Sequence, residues 1–277
     1  MTFITPTTYE GQIMKAKVNG IEINYSVEGA GPWLTLSHSL ACDSAMWDPQ
    51  MDMLKKQFKV LRFDTRGHGQ SEAPATEYTL EQMADDVHGL FGHLGITKSH
   101  WMGLSMGGMI GQTFALKYPG MFSSMILADT TSRQPPNGSA LWGERIQVAK
   151  TRGMDALVEG TLARWFTDGY RAAQPEMMAK IGAVIRATPA AGYAGCCAGI
   201  SKIDLTDRLK EIKCPTLVIV GEQDLGTPVA AAQAIQANLP GAELLVIPSA
   251  AHISNIEQAA IFNIAVRDFL TRVTAAK

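Results

Sequence analysis

The chain has 277 residues, of which 46% are hydrophobic and 18% are charged, so it can bury a sizeable core and is not mostly disordered. Its 26 acidic and 24 basic residues give a net charge of -2, which argues against nucleic acid and anionic membranes as partners. The amino-terminal residues lack the pattern of a secretory signal, and no apolar run of about 18 residues or more predicts a membrane span.

Short apolar strands alternate with helices along most of the chain. Strands are predicted at residues 21–28, 33–37, 59–64, 100–104, 124–129, 215–220 and 243–247. Helices are predicted between them, at residues 49–57, 79–94, 106–117 and 258–273. This alternation predicts an α/β fold in which helices cover both faces of a mostly parallel sheet.

The alternation is interrupted between residues 133 and 205. This stretch has the pattern of several helices and no clear strand, and its aromatic residues include Trp142, Trp165, Phe166 and Tyr193. We interpret it as a helical lid over the carboxyl edge of the sheet. The predicted core then consists of residues 1–132 and 206–277, with the lid inserted between them.

The four cysteines do not form a recognisable metal or disulfide motif. Cys42, Cys196, Cys197 and Cys214 lack the spacing of zinc ligands, and two adjacent cysteines make a poor disulfide framework. We therefore expect buried free thiols and a protein that works in a reducing cytoplasm. No cofactor motif or metal constellation is found in the sequence, so neither a cofactor nor a metal is expected.

One short motif points to nucleophilic catalysis. The residues 103–107, Gly-Leu-Ser-Met-Gly, follow a predicted strand and open a predicted helix, as a nucleophile elbow requires. Ser105 would lie in a strained turn, and a glycine on each side, two residues away, would avoid collisions there. The free amide groups at the start of the next helix would stabilise negative charge. Ser105 is therefore the candidate nucleophile.

The candidate base and acid come later in the chain, in the order that a Ser-Asp-His triad of this fold type requires. His252 is the only histidine after Ser105, and it lies in a loop of small residues before the last helix. Asp224 follows the strand predicted at residues 215–220 and is the favoured acid, while Asp129 is the rival. The candidate oxyanion hole consists of two backbone amides. That of Met106 directly follows Ser105, and that of Leu40 lies in the loop after the strand predicted at residues 33–37.

The chain resembles the α/β-hydrolase superfamily over almost its whole length. The resemblance rests on the motif around Ser105, residues 66–69, the Asp224 loop and His252. The closer resemblance is to 3-oxoadipate enol-lactonases. Similar stretches are residues 44–50, 61–69, 103–108, 164–166, 192–197 and 252–257. The chain departs from that family at Ala41, where a glycine is usual, and at residues 129–133, which read Asp-Thr-Thr-Ser-Arg and not Asn-Thr-Ala-Ala-Arg.

The resemblance implies a serine hydrolase that opens a small carboxylate-bearing lactone, namely 3-oxoadipate enol-lactone, in the degradation of aromatic compounds. A placed cation would then hold the carboxylate: Arg133 is the first candidate and Arg164 the second. Trp142 and Trp165 are further candidates for substrate contact. A carboxylesterase or another lactonase, a carbon–carbon bond hydrolase and a non-enzymatic small-molecule receptor are the alternatives. The sequence leaves open whether the chain forms a homo-oligomer.

Overall fold

The computed structural model describes residues 12–275. Its single sheet has eight strands: β1 (Met14–Val18), β2 (Ile21–Glu28), β3 (Trp33–Ser37), β4 (Lys59–Phe63), β5 (Ser99–Leu104), β6 (Phe122–Ala128), β7 (Thr216–Gly221) and β8 (Glu243–Ile247). Their spatial order is β1-β2-β4-β3-β5-β6-β7-β8. β1 and β2 are antiparallel to their neighbours, and the other six strands run parallel. The predicted mostly parallel sheet is therefore confirmed.

Of the residues that the structure describes, those outside residues 133–205 form six α-helices. They are α1 (Asp48–Leu54), α2 (Leu80–Leu94), α3 (Met106–Lys117), α9 (Val229–Asn238), α10 (Ser254–Glu257) and α11 (Ala259–Ala275). α2 shows how local sequence sets the bounds. Thr79 caps its start by accepting a hydrogen bond from the amide of Gln82 at 3.0 Å, and Gly95 ends it with a left-handed φ of 67°.

The central strands are buried on both faces, as expected for parallel strands covered by helices. Every residue of β5 and β7 is buried. This burial explains why their sequences are continuous apolar runs and not alternating patterns. Because β3 and β5 to β8 are parallel, the loops that follow them all open at one edge of the sheet, where a ligand site is expected.

Five α-helices lie between β6 and β7, followed by a 3-10 helix at Thr206–Glu211. The five α-helices are α4 (Gly138–Arg152), α5 (Asp155–Trp165), α6 (Asp168–Ala173), α7 (Pro175–Ala187) and α8 (Ala190–Ile200). Arg133 and Asp204 form an isolated β-bridge that brings the two ends of this insertion together. The helical character expected for residues 133–205 is thus found, and the lid boundaries stay a prediction.

α8 packs directly on the core through glycine. A Cβ atom at Gly192 would lie 2.2 Å from the carbonyl oxygen of Gly67, and one at Gly67 would lie 2.6 Å from the Cα of Gly192. Neither position can accept a side chain without displacing the other backbone. The amide of Tyr78 also donates to the carbonyl of Gly195 at 3.1 Å, which fastens the same helix to the core.

Several details differ from the sequence-based expectations. β1, α9 and the short α10 were not expected, and the helix expected at residues 49–57 ends at Leu54. The cysteines are free thiols, as expected, but Cys214 is only partly buried. Within residues 12–275, no helix combines the length and apolar character needed to span a membrane.

Candidate active site

Ser105 lies in a sharp turn between β5 and α3. Its φ of 55° and ψ of −114° are a strained conformation for a residue with a side chain. A Cβ atom at Gly103 would lie 2.2 Å from the carbonyl oxygen of Gly107, and one at Gly107 would lie 2.1 Å from that of Ser37. The two glycines of the motif are therefore required by packing, and they allow the backbone to present the hydroxyl at the sheet edge.

His252 connects Ser105 to Asp224. Its Nε2 lies 2.9 Å from the hydroxyl oxygen of Ser105, and its Nδ1 lies 2.8 Å from Oδ2 of Asp224. All three residues are buried, with exposures of 8% for Ser105, 6% for His252 and 3% for Asp224. With the proton on Nδ1, the ring can accept the serine proton at Nε2. The structure thus brings together the three residues that the sequence singled out.

The carboxylate of Asp224 is held in its ionised form by several donors besides the imidazole. Oδ1 accepts from the amides of Gly226 at 2.7 Å and Thr227 at 3.0 Å, and Oδ2 accepts from the hydroxyl of Thr227 at 2.7 Å. Burial opposes ionisation, but these bonds and His252 outweigh it, so the pKa of Asp224 is lowered. Sequence reasoning missed Thr227, which could have been found from its position three residues after the acid.

Asp129 lies close by, but among residues 12–275 its hydrogen bonds do not include one to His252. Its Oδ1 accepts from the amide of Gly221 at 2.8 Å, and its Oδ2 is 2.5 Å from the hydroxyl oxygen of Ser254. Burial, together with the charge of Asp224, raises the pKa of Asp129 to about 8. Because the carboxyl of Asp129 is hydrogen-bonded to Gly221 and Ser254, whereas that of Asp224 lies 2.8 Å from Nδ1 of His252, Asp224 is favoured as the partner of the imidazole.

The two amides expected to bind an oxyanion lie beside Ser105. Leu40 and Ser105 line the same cavity, and Met106 is the first residue of α3, directly after the serine. Among the hydrogen bonds found for residues 12–275, none has the amide of Leu40 or Met106 as its donor. Both amides are thus free to stabilise negative charge that develops on a carbonyl oxygen.

The cavity above Ser105 has a volume of about 610 Å³. The insertion supplies one side of it, and all four residues expected to contact substrate are among its lining residues. These four are Arg133, Trp142, Arg164 and Trp165. The indole of Trp165 approaches the imidazole of His252, with ring centroids 6.5 Å apart. The backbone carbonyl of Trp165 also accepts a hydrogen bond from the amide of Ile253 at 3.1 Å.

The two candidate cations, Arg133 and Arg164, differ in whether a carboxylate already balances their charge. The guanidinium of Arg133 is exposed and is paired with both Asp204 and Asp207, so its charge is already balanced. Arg164 is half-buried, and its terminal nitrogen donates to the hydroxyl of Thr161 at 3.1 Å. Arg133 lines the cavity, but its ion pairs favour Arg164 as the cation for a substrate carboxylate, and the sequence-based choice of Arg133 stays a prediction.

A second unpaired arginine, Arg145, was missed by sequence reasoning. It lines the same cavity, and its guanidinium lies 4.5 Å from the ring centroid of Trp142. Among the ion pairs of residues 12–275, none involves Arg145 or Arg164. Burial and the nearby charge of Arg145 lower the pKa of Arg164. Two cations without a counterion thus face one cavity, which suits an anionic ligand.

Comparison with known proteins assigns the fold to a family. A family described as the alpha/beta hydrolase fold matches residues 32–259. The chain belongs to the α/β-hydrolases. This hydrolase is 34% identical over 254 residues to 3-oxoadipate enol-lactonase 2 of Acinetobacter baylyi, a match that covers 91% of this chain and 94% of that protein.

Two solved structures extend the comparison. An enol-lactonase from Burkholderia xenovorans LB400 is 41% identical, with a TM-score of 0.90, and the match covers 93% of this chain and 100% of that chain. A thermophilic esterase from Thermogutta terrifontis, solved with malate bound, is 32% identical with a TM-score of 0.89. That match covers 95% of this chain and 99% of the esterase. The protein is a carboxylic-ester hydrolase.

The pH dependence of the hydrolase provides a test of His252. Burial opposes its protonation, but the carboxylate of Asp224 outweighs burial, so the pKa of His252 is raised. Protonated imidazole cannot accept the proton of Ser105. We therefore expect kcat/KM to fall as the pH drops, with a midpoint above the ordinary histidine value of about 6.5. A flat profile from about pH 5 to 8, with chemistry rate-limiting, would contradict a histidine base.

Proposed function

We propose that this hydrolase opens a small lactone that carries a carboxylate, and that 3-oxoadipate enol-lactone is the favoured substrate. The observation that carries this proposal is the presence of Arg145 and Arg164 in the cavity that contains Ser105, neither of them ion-paired with another described residue. The enol-lactonases among its relatives support it. The malate in the Thermogutta esterase, a dicarboxylate, supports the preference for an anion. The proposal includes a cytoplasmic location.

The proposed reaction proceeds through an acyl-enzyme. The hydroxyl of Ser105 attacks the lactone carbonyl while Nε2 of His252 takes its proton, and Asp224 stabilises the imidazolium. The amides of Leu40 and Met106 bind the resulting oxyanion. When this intermediate collapses, the bond to the ring oxygen breaks and that oxygen leaves as an enolate. The enolate takes the proton from His252 and stays attached to the acyl group.

Hydrolysis of the acyl-enzyme completes the cycle. A water molecule gives a proton to His252 and attacks the ester carbon of acylated Ser105. The serine oxygen leaves and recovers the proton, which restores the free hydroxyl. The released product contains the new carboxylic acid and an enol, and the enol converts to the ketone. An enolate is a better leaving group than an alkoxide, so the first step needs less help than the opening of an ordinary lactone.

The charge of the substrate is the feature to test. Arg164→Met should lower kcat/KM for an anionic lactone by roughly 10- to 150-fold, because a charge-assisted bond in a partly buried site contributes about 1.5–3 kcal/mol. A neutral ester of similar size should be hydrolysed almost normally. Arg145→Met should act in the same direction. The measurement is kcat/KM for both substrates in each variant.

Arg133→Met is the matched control. Its guanidinium is already paired with Asp204 and Asp207. Its loss should therefore change kcat/KM for the two substrates to a similar, small extent. Equal losses on both substrates in Arg164→Met would mean that this residue supports the fold and does not select the substrate.

A general carboxylesterase is the second candidate function. The cavity of about 610 Å³ is larger than a small lactone needs, and the Thermogutta relative is an esterase. A wild-type protein that is indifferent to substrate charge would favour this function over the lactonase.

A further inference from the structure

Two buried histidines that take no part in the proposed reaction connect the Leu40 loop to its neighbour. His38 and Ala41 belong to the loop after β3, and Thr65 and His68 to the loop after β4. Nε2 of His38 accepts a hydrogen bond from the amide of Thr65 at 2.9 Å. Nε2 of His68 accepts from the amide of Ala41, also at 2.9 Å. Each loop therefore supplies one imidazole acceptor and one backbone donor to the other.

These contacts require both rings to be neutral, with the proton on Nδ1. The Nδ1 atom of His38 donates to the carbonyl of Ser39 at 2.7 Å, and that of His68 faces the carbonyl of Arg66 at 3.3 Å. Both rings are fully buried, and their centroids are 5.3 Å apart. Burial lowers the pKa of His68 to about 3, so its Nε2 stays an acceptor over the working pH range.

The backbone next to Leu40 is in a conformation that alanine does not adopt readily. Ala41 has a φ of 58°, in the left-handed region that favours glycine. The amide of Cys42 donates to the carbonyl of Ser39 at 3.2 Å and closes the turn around these residues. The bond from the Ala41 amide to His68 holds this unfavourable turn in place, and a shift of the turn would reorient the adjacent amide of Leu40.

We propose that His68, together with His38, is a positioning residue that orients the Leu40 amide toward the oxyanion. Loss of its acceptor should slow the chemical step while substrate binding is kept. This inference rests on the proposed function through the assignment of Ser105 and of the Leu40 amide. It does not depend on the identity of the lactone, so a neutral p-nitrophenyl ester serves as substrate.

Two substitutions at position 68 separate the acceptor from the rest of the side chain. His68→Asn keeps a donor near Nδ1, toward Arg66, but is too short to reach the amide of Ala41. His68→Gln places an amide oxygen near Nε2, where it can accept that bond. We expect His68→Asn to lower kcat by about 10²-fold, as for loss of an oxyanion donor, with KM within about threefold of wild type. His68→Gln should recover most of this loss.

Two further measurements distinguish a positioning role from a general loss of stability: the affinity for a transition-state analogue and the kcat of a rescue variant. A trifluoromethyl ketone adds to Ser105 and places an oxyanion in the hole, so its affinity should fall in parallel with kcat across the variants. Ala41→Gly, added to His68→Asn, removes the cost of the left-handed φ and should restore kcat about fivefold. His100→Leu is the matched control: it alters another buried histidine, at the far end of β5, and should reduce stability without reducing kcat.

The outcomes are distinguishable. The proposal is overturned if His68→Asn keeps wild-type kcat once corrected for the folded fraction measured by circular dichroism. It is also overturned if His68→Gln is as slow as His68→Asn, or if kcat falls while affinity for the ketone is kept. Ser105→Ala is the blank: a variant that hydrolysed the ester at the wild-type rate would reject the proposed function itself, and this inference with it.

Discussion

Ser105→Ala is expected to lower kcat by about 10⁴ or more while the fold is kept, because the members of a triad act as a unit. The hydroxyl lies 2.9 Å from Nε2 of His252, so its removal leaves the base without a nucleophile to activate. The positive φ of residue 105 is present with either side chain, so the thermal unfolding of the variant should resemble that of wild type. The measurement is kcat on a lactone and on a neutral ester.

Covalent labelling provides the check on this assignment. A fluorophosphonate should label the wild-type protein stoichiometrically and should fail to label Ser105→Ala. Ser201→Ala, at the end of α8, is the control and should be labelled like wild type. Stoichiometric labelling of another serine in the Ser105→Ala protein would reject the assignment.

Asp224→Asn is expected to lower kcat by about 10⁴, because the amide of asparagine would donate to Nδ1 of His252 and favour the wrong tautomer. The proton would then reside on Nε2, which could no longer accept that of Ser105. The backbone amides of Gly226 and Thr227 can still donate to the side-chain oxygen of asparagine, so the loop should keep its shape. The measurement is kcat, with thermal unfolding as a check on the fold.

Asp129→Asn is the matched control for Asp224→Asn. Burial and the charge of Asp224 raise the pKa of Asp129, so a neutral amide should disturb position 129 less than position 224. Asparagine can still accept from the amide of Gly221, and the hydroxyl of Ser254, which donates to Oδ2 of Asp129, can rotate to accept from the asparagine amide. We expect kcat within about tenfold of wild type, with any change mainly in KM. A larger loss in Asp129→Asn than in Asp224→Asn would reverse the assignment of the acid.

The catalytic candidates could be found from the sequence because their signals are local. The elbow at residues 103–107 is encoded by two glycines that the packing requires, and His252 is the only histidine that follows Ser105. The order of strands and loops then brings Asp224 to the same edge of the sheet. The motif lies within five residues, so it is visible in the sequence even though Gly107 is required by a tertiary contact with Ser37.

The substrate residues could not be ranked from the sequence, because the charge available from an arginine depends on its tertiary neighbours. The sequence made Arg133 the first candidate, yet it pairs with Asp204 and Asp207, more than 70 residues later in the chain. Arg145 follows Trp142 by three residues on α4, a spacing that places both on one face of a helix. This spacing was a usable signal, but only the structure shows that the face lines the cavity.

Two elements were missed for local reasons. β1 has the sequence Met-Lys-Ala-Lys-Val, whose two lysines weaken the signal of a short edge strand. α9 contains five alanines in ten residues and has a weak apolar face, so its periodicity was hard to detect. α9 packs against β7 and β8, and this tertiary packing stabilises the helix.

The contact between Gly192 and Gly67 limits how this hydrolase could be re-engineered by exchanging the helical insertion. An insertion taken from another α/β-hydrolase would dock on this core only if it carried glycine at the position of Gly192, because any side chain there would meet the backbone of residue 67. A chimera without that glycine should misplace α8 and, through its packing on α4, the arginine at position 145 as well. New substrate ranges are therefore more accessible through point substitutions on α4 and α5 than through transplanted insertions.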